Sequence, residues 1–148
     1  MSTIEILLVE DNADDAEMTL HALRKGNVAN RVQLVRDGAE ALDFLFCEGA
    51  FASRIPRAGP KVILLDLKLP KVDGKEVLRR IKADARTRSI PVVILTSSKE
   101  HVDVQDAYAM GVNSFIVKPV SFELFVKAVQ ELGMYWLLLN QPPEVDDA

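Results

Sequence analysis

Five short apolar runs alternate along the chain with stretches of helical spacing. The runs are "IEILLV", "RVQLV", "KVILLD", "PVVILTSS" and "SFIVKP". The first, third and fourth are almost continuously apolar, which is typical of strands that helices cover on both faces of a sheet. Because parallel neighbours need a helix-length connection, this order predicts a doubly wound α/β domain with a five-stranded parallel sheet and flanking helices.

Polar side chains stand where four of the helices are predicted to begin, and they can accept hydrogen bonds from the first helical turn. These predicted N-caps are Asn12, Asp37, Asp73 and Ser121. Glu40 and Glu76 each lie three residues beyond a predicted cap, as in a capping box. A weaker helix, from about Lys99 to Met110, is predicted to end at Gly111.

Size and composition indicate one ordinary globular domain. The 148 residues are 49% hydrophobic and 27% charged, with a formal net charge of -4. This acidic balance argues against a nucleic-acid or anionic-membrane partner, so the basic group from Arg79 to Arg88 is interpreted as a solvated helix face. The single cysteine, Cys47, excludes an internal disulfide and is expected to be a small core residue.

No targeting or membrane segment is predicted. The N-terminus has no basic region followed by an apolar one, and the late run "MYWLLL" is too short to span a bilayer. We therefore expect a cytoplasmic protein. Residues 1–139 are predicted to form the domain with a C-terminal extension, and residues 140–148 a disordered tail.

Chemically distinctive side chains follow the apolar runs at their carboxyl ends, where doubly wound sheets bind ligands. They are Glu10 and Asp11 after the first run, Asp66 after the third, Thr96 and Ser97 after the fourth, and Lys118 after the fifth. Hard oxygen ligands without histidine or thiolate favour Mg²⁺, which commonly pairs with phosphate. A carboxylate such as Asp66 can itself be the nucleophile in phosphoryl transfer.

Each of these signals has an ordinary structural interpretation. An aspartate at a strand end is usually a turn or cap residue, a threonine is a common strand former, and Ser97 could cap the helix that follows. The joint arrangement is what favours a site. Acids after two strands, a hydroxyl after another and a lysine after the last rarely coincide by chance.

The motifs "LLVEDN", "VILLDLKLPKVDG", "PVVILTSS" and "SFIVKPV" together resemble the receiver domain of two-component response regulators, over residues 4 to 132. The resemblance implies a flavodoxin-like fold of the receiver type. It also implies that Asp66 accepts a phosphoryl group from the phosphohistidine of a sensor histidine kinase. For the metal it implies that Asp11, Asp66 and the backbone carbonyl of Lys68 bind Mg²⁺ directly, and that Glu10 acts through water.

The same resemblance implies the parts that respond to phosphorylation. Lys118 would pair with the phosphoryl group, the Thr96 hydroxyl would move toward it, and Phe115 would change rotamer. Ser97 would occupy the position beside Thr96 where a small residue leaves access to the phosphoryl group. Phe115 stands where tyrosine is also common in the family, and a core aromatic is its alternative interpretation.

Two long segments, Glu48 to Pro60 and "GMYWLLLNQPP", are similar to those of single-domain regulators that serve phytochrome-type histidine kinases. The output is expected to be a protein–protein contact or onward phosphotransfer to an effector protein. An aspartyl-phosphate phosphatase is disfavoured, because such enzymes need an acid two residues after the nucleophile and Lys68 stands there. We therefore expect no enzyme acting on a separate substrate. A phosphorylation-independent interaction module remains the alternative.

The apolar run from Met134 to Leu139 has almost no polar interruption. A helix packed on a sheet buries only one stripe, so part of this run would stay exposed on a monomer. We expect it to form the surface of a two-fold homodimer, through Tyr135, Trp136 and Leu138. The alternative is that it folds back under the loop from Glu48 to Pro60.

Overall fold

The computed structural model describes residues 5–25, 32–54, 59–69, 71–96, 105, 109, 111–112 and 114–131. The strands are β1 (Ile6–Val9), β2 (Val32–Val35), β3 (Val62–Asp66), β4 (Val92–Thr96) and β5 (Ser114–Val117). Within these ranges, the helices of eight or more residues are α1 (Ala13–Arg24), α2 (Gly38–Leu45), α3 (Gly74–Ala83) and α4 (Phe122–Glu131). A short 3-10 turn covers Gly49–Phe51.

The five strands form one sheet in the order β2-β1-β3-β4-β5, and every neighbouring pair is parallel. The predicted fold class is therefore confirmed. The chain crosses from β2 over β1 to β3, so the strand order reverses between β1 and β3. In sheets of this kind that reversal opens a crevice beyond the carboxyl ends of the strands.

Alternate residues of the strands supply two cores on opposite faces of the sheet. One core joins the sheet to α2 and α3, and its strand residues include Leu7, Ile63 and Ile94. The other joins the sheet to α1 and α4, and its strand residues include Leu8 and Leu64. Burial on both faces explains why β1, β3 and β4 are apolar at nearly every position.

Three of the predicted helix starts hold as expected. Asn12 accepts a hydrogen bond from the Asp15 amide at 2.9 Å, and Asp37 accepts one from the Glu40 amide at 2.7 Å. The Ser121 hydroxyl accepts one from the Leu124 amide at 3.1 Å. These side chains satisfy N–H groups that have no partner within the helix.

Two details of the sequence interpretation are wrong. Asp73 caps α3 by accepting from the Lys75 amide, and no capping box forms because Glu76 pairs with the Arg79 guanidinium one turn further on. Cys47 is not a core residue. It lies beyond the end of α2, half-buried, with a φ of 56° that breaks the helical path.

Several predictions fall outside the described residues. These are Ser97, most of the helix predicted from Lys99 to Met110, the apolar run with Tyr135, Trp136 and Leu138, and the tail 140–148. Gly111 has a φ of 95°, the left-handed backbone that suits a residue just past a helix end. Within the described ranges, no helix has the length and apolar character needed to cross a bilayer.

Candidate functional site

The carboxyl ends of β1 and β3 bring three acidic residues together at the crevice. Val9 is in register with Leu65, so Glu10 and Asp66 follow side by side on neighbouring strands. Both side chains are buried, whereas Asp11 is exposed at the start of the connection to α1. One carboxylate oxygen from each of the three residues lies within 4.8 Å of the others.

These oxygens fit a divalent cation. The buried Oε1 of Glu10 lies 3.1 Å from the Lys118 ammonium but without the geometry of a hydrogen bond, although a buried polar atom normally forms one. Carboxylate oxygens are the ligands that hard cations such as Mg²⁺ and Mn²⁺ prefer. A cation would also relieve the repulsion between the three carboxylates. The predicted group of Glu10, Asp11 and Asp66 is thus brought together as expected.

Lys118, which follows β5, places its ammonium among the acids. The Nζ atom lies 2.7 Å from Oδ2 of Asp66 and 3.1 Å from Oε1 of Glu10. It also lies 3.2 Å from Oδ2 of Asp15, in the first turn of α1. The backbone amide of Lys118 donates to the carbonyl of Thr96 at 2.8 Å, which fixes the root of the side chain against β4.

Burial and charge within this group together raise the pKa values of both Glu10 and Lys118. The shift disfavours the charged form of Glu10 and favours the charged form of Lys118. Burial, the hydrogen bond to Asp66 and the negative charge of Asp66 raise the pKa of Glu10 from 4.5 to about 8, against the opposing effect of Lys118. Burial alone would lower the pKa of Lys118. Its hydrogen bond with Asp66, its ion pair with Glu10 and the negative charges of both outweigh burial and raise that pKa above its usual value.

The loop after β3 holds the Asp66 carboxylate from the other side. The Lys68 amide donates to Oδ1 of Asp66 at 2.9 Å, and the Gly74 amide donates to the Leu67 carbonyl at 3.1 Å. A Cβ at Gly74 would lie 2.5 Å from the Leu67 Cα and 2.6 Å from the Asp66 carbonyl oxygen. Only glycine therefore lets α3 begin this close to the strand end that carries Asp66.

Thr96 lies on β4, next to the strand of Asp66, and Phe115 lies on β5, one strand further away. Asp66 is in register with Leu95, so Thr96 is the next residue along β4, and it is 2% exposed. Phe115 on β5 is half-buried and packs against the core shared with α2 and α3. Thr96 thus lies at the carboxyl edge of the sheet, and Phe115 lies two residues before the end of β5.

Comparison with known proteins identifies the family. The chain matches the family described as "Response regulator receiver domain" over residues 6–130. This chain belongs to the receiver domain family. Receiver domains take a phosphoryl group from a histidine kinase onto an aspartate, and the predicted function class and kinase partner are confirmed at that level.

Two similar proteins cover nearly the whole chain. "Probable methanogenesis regulatory protein FilR2" of Methanothrix harundinacea is 45% identical over 93% of this chain and 86% of that protein. "Response regulator Rcp1" of Synechocystis sp. is 39% identical over 89% of this chain and 88% of that protein.

Three solved structures extend the likeness. The bacteriophytochrome response regulator RtBRR is 53% identical, with a TM-score of 0.84 over 97% of this chain and 85% of that one. The phosphorylated cyanobacterial phytochrome response regulator RcpA is 38% identical, with a TM-score of 0.74 over 97% and 100%. The Mn²⁺-bound form of Rcp1 is 36% identical, with a TM-score of 0.72 over 94% and 98%. The predicted likeness to regulators of phytochrome-type kinases is confirmed.

The receiver site also contains one acid that was not among the predicted site residues. The amide of Asp15 donates to the Asn12 cap, and its carboxylate contacts the Lys118 ammonium. The signal that could have found it is its place in the first turn of α1. The N-terminus of a helix that follows β1 lies at the same sheet edge as Asp11.

Proposed function

We propose that Asp66 is the residue that accepts the phosphoryl group from a sensor histidine kinase. Its Oδ atom would attack the phosphorus, and the bond from phosphorus to the histidine nitrogen would break. The observation that carries this assignment is the position of the carboxylate, buried at the end of β3 beside two other acids and an ammonium. Burying a carboxylate is costly unless charged groups compensate it. Phosphoryl transfer uses both the carboxylate, as the nucleophile, and the neighbouring charges.

Mg²⁺ is the cation that we propose for this site. Asp11, Asp66 and the backbone carbonyl of Lys68 would bind it, and Glu10 would act through water. When bound, the cation neutralises the charge that develops on the phosphoryl oxygens. Mg²⁺ suits an all-oxygen site of this kind because it retains waters and pairs with phosphate. The Mn²⁺-bound form of Rcp1 supports a divalent cation in a similar chain.

The remaining predicted residues would respond to phosphorylation. Lys118 would bind a phosphoryl oxygen, and the Thr96 hydroxyl would turn toward another. Phe115 would then follow into the space beside β4, which changes the surface near β5. Ser97, outside the described residues, would leave the acceptor accessible. The buried position of Thr96 and the half-buried position of Phe115 support this arrangement.

The chain would act by protein contacts, without turning over a separate substrate. Its only chemistry would be its own phosphoryl uptake and loss. The exchange would occur in the cytoplasm, where histidine kinases use ATP, and the phosphorylated form would contact a downstream phosphotransfer or effector protein. The complete set of acids with Lys118 favours this function over a phosphorylation-independent module of the same fold.

We extend the proposal to self-association. The run from Met134 to Leu139 would join two copies in a two-fold dimer through Tyr135, Trp136 and Leu138. The support is the sequence alone, since these positions lie outside the described residues. A large apolar run that one helix stripe cannot bury is more often an interface than an accident.

A phosphotransfer profile tests the kinase assignment. Purified histidine kinases of the source organism, each charged with labelled phosphoryl, are mixed briefly with wild type or with Asp66→Asn. One kinase, or a few, should transfer the labelled phosphoryl group to wild type within the first sampling times. No kinase should transfer it to Asp66→Asn. Transfer to Asp66→Asn at the wild-type rate would place the acceptor elsewhere.

A further inference from the structure

The first turn of α1 holds a carboxylate against the ammonium of Lys118. The Asp15 amide is fixed by its hydrogen bond to the Asn12 cap at 2.9 Å, and its Oδ2 lies 3.2 Å from Nζ of Lys118. The Asp15 side chain is 37% exposed, whereas that of Lys118 is 19% exposed. Asp15 is therefore the more exposed member of this ion pair.

The ammonium of Lys118 has three N–H donors, and three carboxylates surround it. Asp66, Glu10 and Asp15 reach it from β3, from the end of β1 and from α1 respectively. A phosphoryl oxygen that binds Lys118 must therefore compete with carboxylate oxygens already in contact with it.

The three contacts differ in how easily they can be given up. Glu10 is fully buried, so losing the ammonium would leave its carboxylate without this charged partner and out of contact with bulk solvent. Asp15 has the longest of the three contacts, and water can replace the ammonium around its exposed carboxylate at little cost. Asp15 is thus the contact that a phosphoryl group can most readily displace.

We propose that Asp15 is a positioning residue that holds Lys118 in the resting state and competes with the phosphoryl group for its ammonium. The inference rests on the proposed phosphorylation of Asp66. Asp15 opposes the phosphorylated state in two ways: it occupies a donor of Lys118, and its negative charge repels the phosphoryl oxygens nearby. The balance between the resting and phosphorylated forms is thereby set partly from α1.

The test measures the affinity for a phosphoryl mimic, without any chemical step. Beryllium fluoride with excess Mg²⁺ is titrated by calorimetry into wild type, Asp15→Asn and Asp14→Asn. Asp15→Asn keeps the shape of the side chain and removes its charge. Asp14→Asn is the matched control, because Asp14 is the exposed neighbour in the same turn and no contact with Lys118 is found for it among the described residues.

Asp15→Asn should bind the mimic about two- to fivefold more tightly than wild type, the range of a partly exposed ion pair. Asp14→Asn should stay within about twofold of wild type. Asp15→Glu, which restores the charge in the same turn, should return toward wild-type affinity. A variant that merely disturbed the first turn of α1 would not be rescued in this way. Thermal unfolding of each variant checks that it is folded.

The outcomes separate this inference from the proposed function. If wild type binds the mimic and Asp15→Asn binds it equally or less tightly, the competition is overturned while phosphorylation at Asp66 stands. If wild type fails to bind the mimic at all, the proposed function fails and the inference fails with it. Tighter binding by Asp15→Asn alone, with rescue by Asp15→Glu, supports both.

Discussion

Nζ of Lys118 lies 2.7 Å from Oδ2 of Asp66, although the two residues are 52 positions apart in the sequence and β4 separates their strands. The fold brings them together because β3 and β5 are parallel and end at the same edge of the sheet. The positive charge is therefore in place before any phosphoryl group arrives. Such preorganised charge is what phosphoryl transfer requires of a protein.

Replacing Lys118 should destabilise the metal-free protein. Lys118→Ala leaves the buried carboxylates of Glu10 and Asp66 without their cation, which should lower the free energy of unfolding by about 1–3 kcal/mol. Urea unfolding at pH 8 with a chelator measures it. The control is Lys127→Ala on the exposed face of α4, which should change stability by less than about 0.5 kcal/mol. Equal losses in the two variants would contradict a structural role for the ammonium.

The raised pKa of Glu10 makes the stability of the metal-free protein depend on pH. Folding raises this pKa from 4.5 to about 8, so the folded protein keeps the proton that the unfolded chain releases. The contribution of this proton to the free energy of unfolding is fully present below about pH 4.5 and is lost as the pH rises to about 8. Glu10→Gln cannot titrate and should lack this decline. Unfolding curves that run parallel for the two proteins from pH 5 to pH 9 would refute the shift.

Mg²⁺ should stabilise the wild type through Asp11. A ligand that binds only the folded state adds about 2.7 kcal/mol when present at a hundred times its Kd, which corresponds to several degrees in Tm. Asp11→Asn should lose most of this response, and it should be more stable than wild type without metal because the acids repel each other less. Asp14→Asn, with the same change of net charge, should respond normally. A full Mg²⁺ response in Asp11→Asn would remove it from the ligand set.

The apolar run beyond α4 gives a prediction about assembly. Wild type should sediment as a dimer at high concentration, and Trp136→Ala should shift toward monomer because large aromatic side chains contribute much of an interface's binding energy. Circular dichroism confirms that the variant is folded. Each protein is also run with a phosphodonor. A wild type that stays monomeric in both conditions would favour the alternative in which the run folds back on its own domain.

The sequence predicted what depends on backbone topology. Burial on both faces makes β1 and β3 apolar, and parallel pairing then places Glu10 and Asp66 at one edge without further information. It could not predict contacts decided by how far a side chain reaches. The pairing of Asp15 with Lys118 joins residues 103 positions apart, and only the packed helix brings them within 3.2 Å.

Local competition explains the other differences. The spacing of Asp73 and Glu76 fits a capping box, but Arg79 one turn later offers Glu76 a charged partner, and the ion pair forms instead. The expectation that Cys47 is a core residue fails for a different reason. Its left-handed backbone turns the chain into the loop that follows α2, and apolar spacing does not reveal such a turn.

The most direct test of the central claim is the intact mass of the protein after treatment with a small phosphodonor and Mg²⁺. Wild type should gain the mass of one phosphoryl group, and the gain should disappear on treatment with hydroxylamine, which cleaves acyl phosphates. Asp66→Asn keeps the size of the side chain but lacks the nucleophilic oxygen pair, and its mass should remain unchanged. Equal labelling of wild type and Asp66→Asn, or no labelling of a folded, Mg²⁺-saturated wild type, would contradict the assignment of Asp66 as the phosphoryl acceptor.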